Sequence, residues 1–512
     1  MIVIAHDYKK VLTVEVASDL VSFDSKLTIG ALLYEFAKQY PDEIIIWCHE
    51  KVKEVLHLEY IATSFPHNRW VLSYHPYGNF FPDAIGYVED SPFIHVNKKV
   101  PYPTWQMSSY VGAIKAQTVL LTDLKFWNAT DFDFCLNVIA KTYQPIGLFC
   151  YSDPKLVNEA VLVKVPKASY KQLFTFVNQH YKKTWVYLLM LNLLLYEKKF
   201  PVLAFLATFF PSKKIVPIKE IHFENTPSAI DLAAETIDVI IPTIGRKTYL
   251  YDVLCDLKAQ THLPQNVIIV EQNPLLDSVT ELDYITNEEW PFAIKHIFTH
   301  QTGACQARNK ALPAIESKWC FLADDDIVFS DDFLKESLKQ MVHLKVEAGL
   351  FSCLLKNQIK TNVIVSQTTI FGSGCSLVSS SKLKDVRFDE KLEFGYGEDT
   401  EFGMQLRHAG TDVVYLPFPE ITHLKAPIGG FRTKFTHPWE MEHIQPKPSP
   451  TVLYYRMKYY STEQIKGYKT SLFLKFYKDQ SIKNPFLYFK RMKARWEQSI
   501  KWTIILLQKN EV

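Results

Sequence analysis

Three consecutive carboxylates, Asp324-Asp325-Asp326, stand between two apolar runs, Phe321-Leu322-Ala323 and Ile327-Val328-Phe329. A strand that leaves a core and ends in acids concentrates like charge, which a fold tolerates when a cation compensates it. On an extended chain the carboxylates at i and i+2, here Asp324 and Asp326, point to one side. Hard oxygen donors of this kind suit Mg²⁺ or Mn²⁺. The competing account is an acidic turn that caps the next helix. Ser330-Asp331-Asp332 is a good N-cap of that sort, but capping does not account for Asp324–Asp326.

Other motifs surround the cluster in a definite order. VIIPTIGR (Val239–Arg246), Glu271 after a second apolar strand, and GACQARNKAL (Gly303–Leu312) precede it. FGYGEDTEFGMQLRHAG (Phe394–Gly410) and then His423 follow it. In this order and spacing, the stretch from about Thr236 to Thr433 resembles the family 2 glycosyltransferases of the GT-A fold. The resemblance covers under half of the chain. It implies an inverting, hexosyltransferase-type enzyme that uses a nucleotide-diphospho-sugar, expected to be a UDP-sugar, and a divalent cation, Mn²⁺ or Mg²⁺. The acceptor it implies is a hydroxyl of a glycan or of a lipid-linked glycan, as in surface polysaccharide synthesis.

Residue by residue, Asp324 and Asp326 match the family's DxD. The first would face the nucleotide ribose and the second would hold the metal bridging the diphosphate, with Asp325 between them on the donor side. A metal there neutralises the leaving group as its charge grows. Asp399, beside Glu398, matches the catalytic base, a carboxylate that takes the acceptor hydroxyl's proton. Both acids also open a helix, whose N-terminus favours the ionised form. Pro242, Thr243 and Glu271 match base- and ribose-binding positions at strand ends, although the family more often has Asp where this chain has Glu271. Arg308 and Asn309 match the family's ARN, with structural support beneath the nucleotide as the alternative. His423 matches a further metal or diphosphate ligand. Lys425 and Arg432, in HLKAPIGGFR, lie on a Gly-containing loop that could close over the diphosphate; a solvated basic loop is the alternative.

The elements that must position these residues divide the chain into zones. Residues 1–183 alternate apolar strands (Met1–Ala5, Glu43–Cys48) with amphipathic stretches such as Leu27–Gln39, an α/β layer with a parallel sheet. An apolar connector and polar linker, 184–235, follows. Within it, Thr184–Tyr196 and Phe200–Phe210 are strongly apolar but are separated by Glu197-Lys198-Lys199. Neither reaches the roughly 20 residues that span a bilayer, so a buried hairpin or an interfacial helix pair is expected. A second β-α-β opening, Ile237–Val270, begins the 236–445 zone, and 446–512 is a basic, aromatic helical tail.

The two openings suggest a tandem duplication. Aligning Gly112 with Gly374 sets Asp123-Leu-Lys-Phe126 against Asp385-Val-Arg-Phe388, and soon after each, Asp131-Phe-Asp-Phe134 in the first zone and Asp399-Thr-Glu-Phe402 in the second open a helix. No counterpart of ADDD lies between Cys48 and Gly112. The first zone therefore reads as a degenerate GT-A copy, an acceptor-binding or scaffolding module. The rival reading is a second, metal-independent site around Asp131.

Composition bounds these readings. The 512 residues are 47% hydrophobic and 22% charged, ordinary globular values. The net charge of +2 gives no bulk argument for nucleic acid, and the basic tail carries no recognition motif for it. Basic helices with interleaved aromatic residues suit an anionic membrane surface; a helical cap on the catalytic domain is the alternative. Eight scattered Cys without a CxxC pair, and an N-terminus without a signal-peptide pattern, lead to the expectation of a cytoplasmic protein, peripheral at the inner face of the membrane. Two other classes compete. A nucleotidyltransferase would have no use for a base at Asp399, and the intact second-zone motifs speak against a non-catalytic glycan-binding scaffold.

Overall fold

The computed structural model describes residues 1–164, 166–209, 230–427 and 435–508. The chain forms two compact units, Met1–Asn225 with Tyr459–Ile482, and Thr226–Lys458 with Lys483–Val512. The stretch expected as one tail, 446–512, is thus shared between them.

The first unit is built on eight strands: β1 (Ile2–His6), β2 (Val11–Val16), β3 (Asp19–Leu20), β4 (Ile44–His49), β5 (Trp70–Tyr74), β6 (Tyr102–Pro103), β7 (Val111–Lys115) and β8 (Phe149–Ser152). Their order is β3-β2-β1-β4-β7-β5-β8-β6. The sheet is mixed, not parallel as expected. β1 turns back into β2 through a short loop in which the Asp7 carboxylate accepts from the Lys9 and Lys10 N–H groups, both at 2.9 Å. So short a link allows only an antiparallel return, because a parallel neighbour needs a long crossover. That crossover comes next: the helix Ile29–Gln39, capped by Thr28, leads to β4, which lies parallel to β1.

The apolar stretch after residue 183 joins this unit's core. The helix Lys183–Asn192 buries Val186, Leu189 and Met190, and Leu193 follows them inside. Asn192 accepts from Thr470 at 2.7 Å, tying the stretch to the helix Thr462–Phe476 of the same unit. Among the described residues, no helix is long and apolar enough to cross a membrane.

The second unit holds β9 (Ile237–Ile244), β10 (Asn266–Gln272), β11 (Ala293–Thr299), β12 (Trp319–Ala323), β13 (Ile327–Val328), β14 (Ala348–Leu355), β15 (Ser366–Gln367), β16 (Cys375–Ser379) and β17 (Val414–His423). The order is β11-β10-β9-β12-β16-β14-β17-β13, with β15 on β17. β9, β10 and β12 are buried almost throughout, as parallel strands covered on both faces must be. Their carboxyl ends lie side by side because β9 pairs in parallel with both β10 and β12.

The helix Pro485–Gln508 caps this unit. Its buried residues Tyr488, Met492, Trp496, Ser499, Thr503 and Leu506 recur at intervals of three and four, one face of a helix. Ser499 and Thr503 donate to the Pro448 and Pro450 carbonyls, and Arg495 donates to the Gln445 carbonyl at 2.9 Å.

Truncating this buried face should be costly. Trp496→Ala is expected to lower stability by about 3–5 kcal/mol, whereas Phe486→Ala, at an 84% exposed side chain, should change it by no more than about 0.5 kcal/mol. Urea unfolding followed by tryptophan fluorescence and circular dichroism checks both.

Candidate active site

A cavity of about 620 Å³ opens at the carboxyl ends of β9, β10 and β12. β12 ends at Ala323, so the three aspartates follow it directly and leave in different directions. Asp324 is half-buried and accepts from Arg308 Nη2 at 3.0 Å. Asp325 is buried; it accepts from Thr243 Oγ1 at 2.7 Å and from Arg246 Nη1 at 2.5 Å. Burial still pushes the Asp325 carboxyl up to about 6, against the pull of Arg246 and Thr243. Asp326 accepts from the Ala426 N–H at 2.8 Å and lies 3.2 Å from His423 Nε2 and 3.3 Å from Arg246. Burial would raise the Asp326 pKa, but the His423 and Ala426 hydrogen bonds and the Arg246 charge hold it below the usual carboxylate range. In return, the hydrogen bond to Asp326 raises His423.

β17 delivers His423 to this place by pairing antiparallel with β13, the short strand just after the aspartates, so that Ile327 faces His423. Asp324, Asp326 and His423 each offer one ligand atom, all within 4.8 Å of one another. Two carboxylates and one imidazole form a donor set suited to a divalent cation such as Mn²⁺ or Mg²⁺. The backbone keeps room for them. A Cβ at Gly374 would overlap the Asp324 carboxylate, so only glycine leaves that rotamer free.

The second acidic pair enters from the helix Glu398–His408. Asp399 Oδ1 accepts from the Ser373 N–H at 3.2 Å and from the Ser373 hydroxyl, while Oδ2 makes no hydrogen bond among the described residues. Burial raises the Asp399 pKa, opposed by Arg308 and Ser373. Burial and the adjacent Asp399 push Glu398 up to about 7. Arg308, itself buried, influences Asp324, Asp399 and Glu398 together, so one guanidinium serves both acidic groups.

The cavity wall thus brings together Pro242, Thr243, Arg308, Asp324, Asp325, Asp326, Glu398, Asp399 and His423 of the residues expected from sequence. Three others stand elsewhere. Glu271 is buried beside the cavity, and its carboxylate is occupied by Thr280 Oγ1 (2.6 Å), the Glu281 N–H (2.9 Å) and His296 Nε2 (2.9 Å); its neighbour Gln272 lines the wall instead. Asn309 clamps backbone, donating to the Phe388 carbonyl and accepting from its N–H, both at 2.8 Å. That is the structural-support alternative for this residue. Lys425 is exposed and does not line the wall, and Arg432 lies outside the described residues.

Sequence reading missed Arg246, Ser373, Gly374 and Glu393. Arg246 stands in the quoted VIIPTIGR, and its charge, four residues beyond Pro242, was the available signal. Glu393 accepts from the Cys305 and Gln306 N–H groups at 3.3 and 3.0 Å, filling the N-terminus of the helix Ala304–Ala311. Gly303, at φ +138°, is required there because a Cβ would overlap Glu393. No local pattern announces that contact.

Comparison with known proteins agrees with this location. Residues 238–373 match the model of glycosyl transferase family 2. The matched segment runs from β9 through β12 and the three aspartates to Ser373, within the mixed α/β sheet of the second unit. No curated protein matches the chain. Among solved structures, S. aureus TarS is similar at 19% identity over 38% of this chain and 37% of that one, TM-score 0.31. S. aureus TarS 1–349 in complex with UDP-GlcNAc is similar at 14% identity over 53% and 74%, TM-score 0.34. GalNAc-T7 with UDP, GalNAc and Mn²⁺ is similar at 10% identity over 53% and 57%, TM-score 0.36. The chain spans little more than a third of the TarS chain.

The Gly374 contact yields a direct test. Gly374→Ala should displace the Asp324 carboxylate and weaken Mn²⁺ binding at least about tenfold, a loss of about 1.4 kcal/mol, while circular dichroism stays that of the parent. Mn²⁺ titration followed by electron paramagnetic resonance measures it.

Proposed function

We propose that the second unit is an inverting glycosyltransferase that moves a hexose-type sugar from a nucleotide diphosphate, expected to be UDP, to a hydroxyl of a glycan or lipid-linked glycan. One observation carries the reading: the Asp324–Asp326–His423 donor set and the unbonded oxygen of Asp399 line the same cavity, and Asp324 and Asp326 belong to the segment 238–373 that matches glycosyl transferase family 2.

Asp324, Asp326 and His423 would hold Mn²⁺ or Mg²⁺, which when bound supplies positive charge against the leaving diphosphate. Pro242, Thr243 and Gln272 line the end of the cavity where β9 and β10 finish, the place for a nucleoside in an open α/β sheet. Arg246 compensates Asp325 and holds Thr243's partner still, so that the nucleoside end keeps its shape. Asp399 acts as base. The acceptor oxygen forms its bond to the anomeric carbon, the bond from that carbon to the diphosphate breaks, and the acceptor proton passes to Asp399 Oδ2. Ser373 fixes the other carboxylate oxygen, which orients Oδ2 and leaves it available.

A membrane-borne acceptor has separate support at the start of the helix Pro485–Gln508. Phe486 and Leu487 are 84% and 59% exposed there, beside exposed Lys483, Lys490 and Arg491. Apolar side chains framed by cations suit an anionic lipid surface. Phe486→Glu/Leu487→Glu should abolish co-sedimentation with phosphatidylserine-containing vesicles without loss of fold; retention on the vesicles would remove this part of the reading.

The central test screens UDP-, GDP- and dTDP-sugars with Mn²⁺ or Mg²⁺ for donor binding and hydrolysis. One donor should bind in a metal-dependent manner, and Asp326→Ala should lose that binding. Asp399→Asn should retain donor binding and lose about 10²–10⁴-fold in kcat. Because the base works only when ionised and its pKa is raised, kcat/KM should fall as pH drops, along a limb above the ordinary aspartate value of about 3.9. Coupling to Glu398, at about 7, makes that limb a property of the pair.

A further inference from the structure

The first unit repeats the half of the fold that carries Asp399 and drops the half that receives the nucleoside. The runs β1-β4-β7-β5-β8 and β9-β12-β16-β14-β17 have the same pairing senses in the same order: parallel, antiparallel, antiparallel, parallel. Each ends on a short antiparallel strand, β6 or β13. Beyond β1, where the second unit has the parallel strands β10 and β11, the first has, among the described residues, the antiparallel hairpin β2–β3.

Register identifies the equivalent residues. Cys48 faces Val111 as Ala323 faces Cys375, so His49-Glu50-Lys51 stand where Asp324-Asp325-Asp326 stand. A lysine at the position of Asp326 removes the cation site. Two residues before those partners come Ser109 and Ser373. Ser109 donates to Asp133 from its N–H at 2.8 Å and from its hydroxyl at 2.6 Å, as Ser373 donates to Asp399. Asp133 and Asp399 are both the second residue of their helices, Phe132–Tyr143 and Glu398–His408. The sequence alignment was therefore offset by two. Asp131 is the N-cap, accepting from the Phe134 N–H at 2.9 Å and from Gln172 at 2.7 Å.

What surrounds Asp133 is polar and under-satisfied. Lys98 and Lys167 both reach Asn79, at 2.8 Å to its side chain and 2.6 Å to its carbonyl, and among the described residues neither is ion-paired with a carboxylate. Lys167, which is exposed, lies within electrostatic reach of the Asp133 carboxylate, so the positive charge of the pair is only partly compensated. Burial and the Lys167 charge push Lys98 down to about 7. His75, 3% exposed, donates from Nδ1 to the Gly78 carbonyl at 2.7 Å, which leaves Nε2 as an acceptor, and that buried atom has no partner. The Tyr8 hydroxyl is likewise buried without a partner; burial raises its pKa, and the nearby Asp133 raises it further. Tyr77, half exposed, presents a ring 6.0 Å from that of His75.

We propose that this cluster is a metal-independent binding site for an anionic saccharide, a sugar carrying a phosphate or a carboxylate. Lys98 and Lys167 take the anion, the unpartnered His75 Nε2 and Tyr8 hydroxyl take sugar hydroxyls, and Tyr77 offers an apolar ring face, while Asp133 stays held by Ser109. The site lies wholly within the first unit and does not require the activity proposed for the second.

Saturation-transfer NMR on the full chain in EDTA, with glucose 6-phosphate, glucuronate, glucose and inorganic phosphate as probes, tests it. One of the two anionic sugars should bind, with glucose and phosphate each at least tenfold weaker, and the preferred probe tells phosphate from carboxylate. Lys98→Gln/Lys167→Gln should lose that binding at least tenfold, and Tyr8→Phe should weaken it, with thermal unfolding of both variants monitored. Asp326→Ala should leave it intact. Four results would overturn the proposal: no binding of either anionic sugar, equal binding of glucose or phosphate, binding that survives in a folded Lys98→Gln/Lys167→Gln, or loss in Asp326→Ala.

Discussion

Mutual repulsion among carboxylates is the constraint on which the second unit depends. Asp324, Asp325, Asp326, Glu393, Glu398 and Asp399 all line one cavity, and within it Arg246, Arg308 and His423 stand against them. Like charges at such separations favour protonation of some members, and the raised values of Asp325, Glu398 and Asp399 express this together with burial. The fold distributes the compensation unevenly. Asp325 and Asp326 share Arg246, and Asp324 has Arg308. Asp399 has Ser373 on one oxygen and a more distant guanidinium, which leaves its Oδ2 without a hydrogen bond among the described residues.

That distribution is a consequence of strand ends. β9 supplies Thr243 and, just beyond it, Arg246; β12 runs out one residue before Asp324; β17 reaches back through β13 to His423. The helix carrying Glu398 and Asp399 is braced from outside. Lys458 pairs with Glu401 at 2.6 Å and Tyr454 donates to Asp389 at 2.5 Å, both from the helix Pro450–Tyr459. The helix Pro485–Gln508 buries Leu506 against Leu392 and Tyr454 in turn. The C-terminal segment of this unit therefore acts on the site through packing, with Lys458 and Arg495 bonded to the unit and Lys490, Arg491 and Lys493 exposed.

The two units also illustrate how little sequence separates one chemistry from another on a shared strand pattern. His49-Glu50-Lys51 in place of Asp324-Asp325-Asp326 replaces three carboxylates with one and adds a lysine, while the Ser–Asp pair persists. In the first unit Ser109 occupies both oxygens of Asp133, and in the second Ser373 occupies one of Asp399.

What could be read from sequence was local. The apolar run ending in Asp324-Asp325-Asp326, the GED helix start and the VIIPTIGR strand are determined by neighbours along the chain, because alternation, helix caps and strand ends follow from adjacent residues. The order of these motifs carried the family likeness. Tertiary structure alone decided which partners meet across long separations: Arg246 with Asp325, Ser373 with Asp399, Glu393 with the helix behind Gly303. It also withdrew Glu271 and Asn309 from the cavity, the first bonded to Thr280 and His296 and the second to the Phe388 backbone. The two-residue offset between Asp131 and Asp133 has the same origin. Both acids fit the spacing, and only the pairing of β4 with β7 showed which one stands where Asp399 stands. Side-chain type is a property of the residue, whereas pKa, availability and partner come from hydrogen bonds and burial that exist only after the strands have paired.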